Sequence, residues 1–295
     1  MSEVQYDIVI PHYKDEVNLS ELLHDLVEYN KKHKPRFINI INDGEPSEDF
    51  ITVVTEYSKV LPIKCYSDER SGHVKILNDF ILNSDAKSIV VSHSDVRLNP
   101  NNANVQYIDS PSVLGYYMSS NRDVSGIGCF SVSNGKNFVE QVSASDSYIT
   151  GGARFNTDDG LKSEKIGFKA SFPLRDSFDS WTRCLSIEDK FFAINVDIFK
   201  KVGGFEEEFH EYYYYLDDYF ATCRKTMGRH VVFTNETAVM HHIKTERPEG
   251  SYVLKGDQRK MFKRFCGKWM ASRIMRRESL RSDNEVTEKS VIKTR

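Results

Sequence analysis

The sequence predicts an α/β fold in which a mostly parallel sheet is flanked by helices, followed by a basic helical extension at the C-terminus. Two observations predict the sheet. Short apolar runs rich in β-branched residues alternate with amphipathic segments, and this alternation occurs four times within residues 6–92. A third observation, a cluster of basic residues beyond residue 244, predicts the extension.

The first third of the chain gives the clearest pattern. Pro11 ends the first apolar run, and Asn42-Asp43-Gly44 forms a turn signal after the second. Helical spacing of leucines, with Asn18 or Ser20 as the N-cap, marks the first helix. The predicted strands are 6–10, 37–41, 63–66 and 88–92, and the predicted helices are 18–31, 48–59 and 74–83.

The remainder of the chain is less regular. Residues 110–186 are rich in Ser, Gly, Asn and aromatic residues, and we interpret them as mixed strands and long loops. Regular secondary structure is predicted again from residue 191 onward. The predicted elements are an ordered segment at 191–201, a Gly203-Gly204 turn, a helix at 216–227, a strand at 231–234, a basic helix at 258–277 and a frayed end at 281–295.

The composition excludes several classes of protein. The 295 residues include 40 Lys and Arg against 43 Asp and Glu, a net charge of −3, which argues against a generally basic nucleic-acid coat protein. Five scattered cysteines without a CxxC pair argue against a zinc ribbon or a disulfide framework. We expect no signal peptide and no membrane span, and therefore a cytoplasmic location. A membrane-peripheral location, or the host cytoplasm for a phage-encoded protein, is the alternative.

The charge is unevenly distributed. Twelve basic and four acidic residues lie between Lys244 and Arg281, so the rest of the chain is acidic. Aromatic residues interleave with the basic ones at nearly helical spacing. Such a helix either attracts a polyanion or an anionic membrane surface, or packs its aromatic residues on the body and leaves a solvated basic face.

Three polar clusters follow predicted strands, at the edge where open α/β sheets bind ligands. They are Pro11-His12-Tyr13, Asn42-Asp43-Gly44 and His93-Ser94-Asp95. One such cluster would carry little weight, because strand ends are often polar. Three in register predict a single crevice.

These segments, with others downstream, resemble family 2 glycosyltransferases, whose fold is termed GT-A. The resemblance runs in order over residues 6–242 and implies a catalytic domain at 1–243, with a nucleotide-sugar-binding half at 1–109 and an acceptor-binding half at 110–243, before a basic extension at 244–295. The matching segments are 8–11, 40–44, 69–78, 90–95, 191–207, 216–228 and 238–241.

The sequence departs from the family pattern at several positions that the family gives to acids. Asn42 stands for the first aspartate of the D-D-G segment, and His93 for the first aspartate of D-x-D. Leu216 replaces a glutamate and Tyr219 an aspartate near the base. These changes predict an altered donor sugar or altered metal geometry.

A divalent ion would neutralise the leaving diphosphate, and Mn²⁺ or Mg²⁺ prefers oxygen ligands. We predict Asp95 as the carboxylate ligand and His241 or His242 as an imidazole ligand that would favour Mn²⁺. The family pattern favours His241. The structural alternatives are a turn cap for Asp95 and a surface pair for the two histidines.

The acceptor hydroxyl must lose a proton, and a carboxylate is the usual base. Asp217 aligns with the family's base, and Asp218 is the second choice. Both acids could instead cap the helix that follows them. The resemblance implies a single displacement with inversion.

The remaining site residues divide between donor and acceptor. Asp43 is expected to contact the nucleoside, and the alternative is that it only stabilises its turn. Arg70 and Lys75 are expected to contact the base or the phosphates, and the alternative is that they are solvated at the surface. Gly203 and Gly204 are expected to shape a loop near the acceptor. Tyr214 and Tyr215 are expected to stack on a sugar ring or base, and core packing is the alternative. The predicted donor-binding residues are Pro11, His12, Tyr13, Asp43, Arg70, Lys75, His93 and Ser94, and the predicted acceptor-binding residues are Gly203, Gly204, Tyr214 and Tyr215.

The resulting hypothesis is a metal-dependent glycosyltransferase that uses a nucleoside-diphosphate sugar, with a UDP-sugar favoured. Its acceptor would be a glycan, a lipid-linked glycan or hydroxymethylated phage DNA. A catalytically inactive sugar- or nucleotide-binding module is the alternative from another class. A nucleotidyl-transferring enzyme lacks support, because the N-terminal region has no glycine-rich phosphate loop.

Overall fold

The computed structural model describes residues 6–29, 33–98, 109–134, 148–156, 162–169, 181–184, 186–209, 214–242 and 255–269. Its elements in chain order are β1 (Tyr6–His12), α1 (Glu16–Tyr29), β2 (Ile38–Asp43), α2 (Glu48–Tyr57), β3 (Ile63–Asp68), α3 (His73–Asn83), β4 (Ser88–Ser92), β5 (Val96–Arg97), α4 (Ser110–Ser120), β6 (Val124–Asn134), β7 (Tyr148–Asn156), β8 (Lys162–Lys169), β9 (Trp181–Cys184), β10 (Phe191–Asn195), α5 (Val196–Val202), a 3₁₀ turn (Glu207–Phe209), α6 (Tyr215–Met227), β11 (His230–His242) and α7 (Lys255–Trp269).

One mixed sheet organises these elements, in the order β3-β2-β1-β4-β10-β6-β11-β5. The first four strands are parallel, as the alternating pattern predicts. Strand β10 runs antiparallel to both β4 and β6, and it joins the N-terminal strands to the parallel pair β6 and β11. The chain leaves β1 toward β2 and β3 and then returns to β4 on the other side. This reversal creates a topological switch point, where ligands bind in open sheets.

Helices cover both faces of the sheet and bury two apolar clusters. One cluster joins α1, α2 and α4 to the sheet through residues such as Leu22, Phe50 and Leu114. The other joins α3, α5, α6 and α7 through residues such as Leu77 and Phe199. Both clusters contain residues from the two halves of the predicted catalytic domain. The sheet and its two clusters therefore form a continuous body across residue 109.

Pro11 does not end β1, contrary to prediction. The strand continues to His12, and Pro11 pairs with Ile41 of β2. The pairing of β1 with β4 stops at Val9, so Pro11 lies where β1 has only one partner. A proline that cannot donate a hydrogen bond is tolerated at such a position.

The sequence interpretation of residues 110–186 missed helix α4 as well as the length of β6. The α4 helix is capped by Asp109, whose side chain accepts a hydrogen bond from Ser112 N, and Pro111 occupies its first turn. Its small residues permit close packing, since a Cβ on Gly115 would lie 2.5 Å from the Tyr6 ring. Tertiary packing therefore stabilises a helix whose own residues favour it only weakly.

The basic helix α7 spans Lys255–Trp269, whereas the prediction was 258–277. Its apolar side chains Met261, Phe265 and Trp269 are buried in the α3–α5–α6 cluster. The predicted continuation to residue 277, with Arg273, Arg276 and Arg277, lies outside the described residues, as does Arg281. No helix in the described part of the chain is long and apolar enough to span a bilayer.

Candidate functional site

The switch point between β1 and β4 brings the predicted polar clusters together along one edge of the sheet. His12 ends β1, Asp43 ends β2, and His93 directly follows β4. The register pairs His12 with Asn42, so the ends of the first two strands are level. The single crevice predicted from three strand-end clusters is consistent with this arrangement.

Asp43 ties the end of β2 to the loop that precedes α3. Its Oδ1 accepts hydrogen bonds from the backbone of Ser71, at 2.7 Å, and Gly72, at 3.2 Å. Gly72 has a φ of 90°, a conformation that favours glycine. Asn42, which replaces the acid of the family pattern, donates its amide to the Gly44 carbonyl at 2.6 Å and so holds the turn.

Arg70 stacks on the Tyr13 ring, next to Ser71, which bonds Asp43. The guanidinium carbon of Arg70 lies 4.1 Å from the Tyr13 ring centroid, and Nη1 donates to the Tyr13 hydroxyl at 2.8 Å. Such a pair offers an aromatic and a cationic surface to a ligand. Lys75, by contrast, is exposed on α3 and forms an ion pair with Asp79 at 2.6 Å, in agreement with the solvent alternative.

His12 lies beneath the crevice rather than open to it. Its ring is buried and stacked on Phe50 of α2 at 5.1 Å between centroids. Neither ring nitrogen has a hydrogen-bond partner among the described residues, and Glu16 Oε1 lies 3.9 Å from Nε2. Burial lowers the pKa of His12 against the opposing charge of Glu16, so the imidazole is neutral at physiological pH.

Asp95 and His241 meet although 146 positions separate them. Strand β5 follows Asp95 and pairs with β11, with Val96 opposite His241. This pairing places His241 Nε2 3.0 Å from Asp95 Oδ2. Burial would raise the pKa of Asp95, but the hydrogen bond from His241 and nearby positive charge lower it to about 2.

The Asp95–His241 pair fits part of a divalent-metal site. Asp95 Oδ1 is buried and has no hydrogen-bond partner among the described residues. The 3.0 Å between Asp95 Oδ2 and His241 Nε2 would let both atoms hold one divalent ion. No group of three His, Cys, Asp or Glu side chains within the described ranges is arranged to hold a metal. The remaining ligands would come from substrate and water, and the His242 side chain lies outside the described residues.

His93 belongs to a buried aromatic group that the sequence did not reveal in full. The His73 ring lies 5.0 Å from His93 and 5.6 Å from Tyr215, and His73 Nε2 is 3.2 Å from the Tyr215 hydroxyl. Burial lowers the pKa of His93 to about 4 and that of His73 well below its usual value. Both imidazoles are therefore neutral at pH 7. No motif in the sequence marked His73.

Asp189 and Lys190 are the other residues that sequence reasoning missed. They immediately precede β10, and Lys190 Nζ lies 2.5 Å from Asp189 Oδ1. The Lys190 carbonyl accepts a hydrogen bond from His93 N at 2.9 Å. Two adjacent charges directly before the wholly apolar start of a buried strand were the available signal.

The candidate bases differ in their surroundings. Asp217 is half-buried in the first turn of α6, whereas Asp218 is buried and faces α7. Asp218 Oδ1 accepts from Trp269 Nε1 at 2.7 Å, and Oδ2 accepts from Lys268 Nζ at 2.9 Å. These bonds give both oxygens of Asp218 a partner in α7. Asp217 as the base, with Asp218 as the second choice, stays a prediction.

The two tyrosines predicted to touch the acceptor have structural partners. Tyr214 has a φ of 66° and stacks on Phe265 of α7 at 5.5 Å, while Tyr215 is buried against His73. The replacements Leu216 and Tyr219 are also buried in the apolar cluster. Their acid-to-apolar changes are explained by packing.

Gly203 and Gly204 likewise have a structural explanation. Gly203 ends α5 with a φ of 88°, and Gly204 has a φ of 85°. A Cβ on Gly204 would lie 2.7 Å from Asn78 Oδ1. Asn78 in turn bonds the backbone of Phe205 through both its amide and its carbonyl oxygen, each at 2.8 Å. Contact of this loop with an acceptor stays a prediction.

Comparison with known proteins gives similarity in structure but not in sequence. The sequence matches no protein-family model and no curated protein sequence. Its structure is similar to that of GalNAc-T7 crystallised with UDP, GalNAc and Mn²⁺, with 14 % identity, a TM-score of 0.66, and coverage of 90 % of this chain and 48 % of that one.

Two further structures are similar over most of the chain. TarS residues 1–349 from S. aureus with UDP-GlcNAc gives 12 % identity, a TM-score of 0.56, and coverage of 90 % of this chain and 66 % of that one. The mannosyltransferase PcManGT from Pyrobaculum calidifontis with GDP-Man and Mn²⁺ gives 13 % identity and a TM-score of 0.51. The match covers 83 % of this chain and 58 % of that one. The chain thus spans between about half and two thirds of these relatives. Likeness at this identity establishes architecture, and the predicted GT-A fold is confirmed.

Proposed function

We propose that this protein is a glycosyltransferase that moves a sugar from a nucleoside-diphosphate donor to an acceptor hydroxyl group. One observation carries the proposal: the edge of a GT-A sheet brings together Asp43, the Tyr13–Arg70 pair and the Asp95–His241 pair. Three similar structures, GalNAc-T7, TarS and PcManGT, were crystallised with UDP or with a UDP- or GDP-sugar. A UDP-sugar is the favoured donor.

The donor would extend from Asp43 toward Asp95. Asp43 Oδ1 is engaged by the α3 loop, which leaves Oδ2 to accept a hydrogen bond from the nucleoside. The Tyr13 ring and the Arg70 guanidinium would flank the base, since both are planar. The diphosphate would then lie near Asp95, at the end of β4.

Asp95 and His241 would hold a divalent ion, with Mn²⁺ favoured by the imidazole ligand. Such an ion supplies Lewis-acid neutralisation of the diphosphate. The depressed pKa of Asp95, about 2, keeps its carboxylate ionised at any physiological pH. His241 Nε2 lies 3.0 Å from Asp95 Oδ2, so the two atoms would share the ion.

Asp217 would act as the base. Its carboxylate in the first turn of α6 would accept the proton of the acceptor hydroxyl as the hydroxyl oxygen attacks the anomeric carbon. The attack on the face opposite the leaving group inverts the configuration. Asp218, which accepts hydrogen bonds from α7, is the second choice for this role.

The acceptor is proposed to be a glycan, free or lipid-linked, or hydroxymethylated DNA. The contribution of the basic helix to a polyanionic acceptor is smaller than its charge suggests. Arg264 and Lys268 are paired with Glu206 at 2.7 and 2.6 Å, while Lys260 and Lys263 are exposed. Binding to DNA and to anionic vesicles, measured across salt, separates these acceptors; a flat response excludes polyanions.

A thermal-shift screen of UDP-, GDP-, CMP- and TDP-sugars, with and without Mn²⁺, tests the proposed function. A bound donor at 100 times its Kd should raise stability by about 2.7 kcal/mol. We expect a UDP-sugar to raise the Tm in the presence of Mn²⁺. Absence of a shift with every donor contradicts the proposal. A shift without donor hydrolysis or transfer favours an inactive binding module instead.

A further inference from the structure

The Asp189–Lys190 pair is the strongest feature of the crevice that the proposed roles leave unexplained. Lys190 carries a full positive charge, yet only 21 % of its side chain is exposed, and Asp189 is 12 % exposed. Removing charges from water is costly, and a buried ion pair is weak evidence for added stability. A pair retained at the ligand-binding edge of the sheet therefore suggests a chemical role.

The β-ladder fixes the direction of Lys190. Strands β10 and β4 are antiparallel, with Phe191 opposite Ser92, and the hydrogen bond from His93 N to the Lys190 carbonyl continues the ladder by one step. Opposed residues of an antiparallel pair project to the same face. The Lys190 side chain therefore shares a face with the His93 imidazole.

Asp189 keeps the Lys190 side chain charged. Burial would lower the pKa of Lys190, but Asp189 outweighs this effect and raises it, so the ammonium group is charged at neutral pH. The ammonium group is thus a fixed positive charge on the residue opposite His93, which lies two positions before Asp95.

The histidine at position 93, in place of an aspartate of the family pattern, suggests a role for this ammonium group. Where the resembling family has two aspartates, this chain has a histidine and one aspartate, with Lys190 opposite the histidine. One carboxylate attracts a cation less strongly than two. A fixed ammonium group can neutralise phosphate charge directly, as a point charge with three donors.

We propose that Lys190 is a catalytic residue that binds the diphosphate of the donor and stabilises the nucleoside-diphosphate leaving group, with Asp189 holding its ammonium group in position. The bond between the anomeric carbon and the phosphate oxygen breaks, and its electron pair stays on that oxygen, beside Lys190. The acceptor oxygen forms the new bond to the anomeric carbon, and its proton passes to Asp217. This inference rests on the proposed glycosyltransferase function.

Steady-state donor hydrolysis and transfer by the full chain test the assignment, with the donor selected in the thermal-shift screen. Lys190→Ala should lower kcat about 100-fold, as loss of a preorganised charge in an active site does. It should also weaken UDP binding in the presence of Mn²⁺. Lys190→Arg should recover at least about a tenth of the activity, because a cation is restored. Lys59→Ala, which removes an exposed lysine at the end of α2, should behave like the wild type.

A second variant guards against misfolding, since Lys190→Ala leaves Asp189 buried without its cation. Asp189→Asn combined with Lys190→Met removes both charges and keeps the volume. It should fold, with a wild-type circular dichroism spectrum, and show the same catalytic defect. If neither variant folds, acetylation of Lys190 in the wild-type chain decides: UDP with Mn²⁺ should slow it at least several-fold.

Unchanged kcat and UDP affinity in a folded Lys190 variant would overturn the inference, as would acetylation of Lys190 that UDP does not slow. Failure of the proposed function itself is distinguishable, because the wild-type chain would then neither bind nor hydrolyse any donor.

Discussion

Trp269 donates its indole N–H to the buried carboxylate of Asp218 at 2.7 Å, and this bond joins the C-terminal helix to the residue beside the candidate base. Lys268 bonds the same carboxylate and also Glu206. Tyr214, which precedes α6, stacks on Phe265 of the same helix. The basic helix is therefore part of the catalytic body as far as residue 269.

Trp269→Phe should destabilise the protein by about 1.5–3 kcal/mol, because it removes a hydrogen bond to a charged, buried group. Urea unfolding followed by circular dichroism measures this change. Lys263→Ala, on the exposed face of the same helix, should change the free energy of unfolding by less than about 0.5 kcal/mol. Equal effects of the two substitutions would show that the indole bond contributes nothing.

The ion pairs of Glu206 make the docking of α7 dependent on pH. Hydrogen bonds from Lys268, and then from Arg264, lower the pKa of Glu206 below its usual value against the opposing effect of burial. A lowered folded-state pKa contributes stability above the unfolded value and loses it as the pH falls through the folded value. The Tm difference between the wild type and Glu206→Gln should therefore be present at pH 7 and shrink below about pH 4.5. A difference that persists at pH 3 would contradict this account.

Asp95→Asn should abolish the Mn²⁺-dependent rise in Tm caused by a UDP-sugar, because a neutral amide is a poor ligand for a hard cation. His241→Ala should weaken the same response. Asp123→Asn is the matched control, since the Asp123 side chain is 88 % exposed and pairs only at the surface with Arg229. A full donor response in Asp95→Asn would remove Asp95 from the metal site.

Asp217→Asn should lower kcat for transfer by at least about 100-fold, the usual contribution of a general base. Donor affinity, measured by thermal shift, should stay near that of the wild type, because Asp217 is proposed to meet the acceptor. If activity survives in Asp217→Asn, another group accepts the proton.

Adjacent glycines after α5 provide a matched pair of substitutions. Gly203→Ala should cost about 1 kcal/mol, since its φ of 88° is unfavourable but, apart from its chain neighbours, no atom of the described residues lies within 4 Å of the new Cβ. Gly204→Ala should cost about 3 kcal/mol, because a similar φ is combined with a 2.7 Å contact with Asn78. Chemical denaturation measures both. Equal costs would mean that Asn78 moves aside freely.

The sequence predicts the parts of this fold that follow local rules. The strand at Ser88–Ser92 has its predicted limits, and the helix at His73–Asn83 begins one residue early, because apolar spacing and turn residues mark both. Helix α4 was missed because Ser112 and Gly115 favour it only through their contacts with the body. Local propensity does not contain that information.

Sequence analysis found the candidate residues that lie in motifs at the ends of strands. It missed the residues that only the folded chain brings close to them. Asp95 and His241 carried motif signals, and the fold places His241 Nε2 3.0 Å from Asp95 Oδ2. Their role as metal ligands stays a prediction. His73 and Lys190 had no motif, and they enter the site through the start of α3 and the ladder of β10. Asp218 looked equivalent to Asp217 in sequence, and only the packing of α7 separates them.

The meeting of Asp95 with His241 has a consequence for folding. Strand β5 follows β4 in the chain but pairs with β11, and β10 and β6 lie between β4 and β11 in the sheet. Contacts of such long sequence separation form late, since loop-closure entropy must be overcome first. A chain that has not closed its sheet therefore lacks the paired carboxylate and imidazole. Recovery of Mn²⁺-dependent donor binding during refolding would report the last step of assembly.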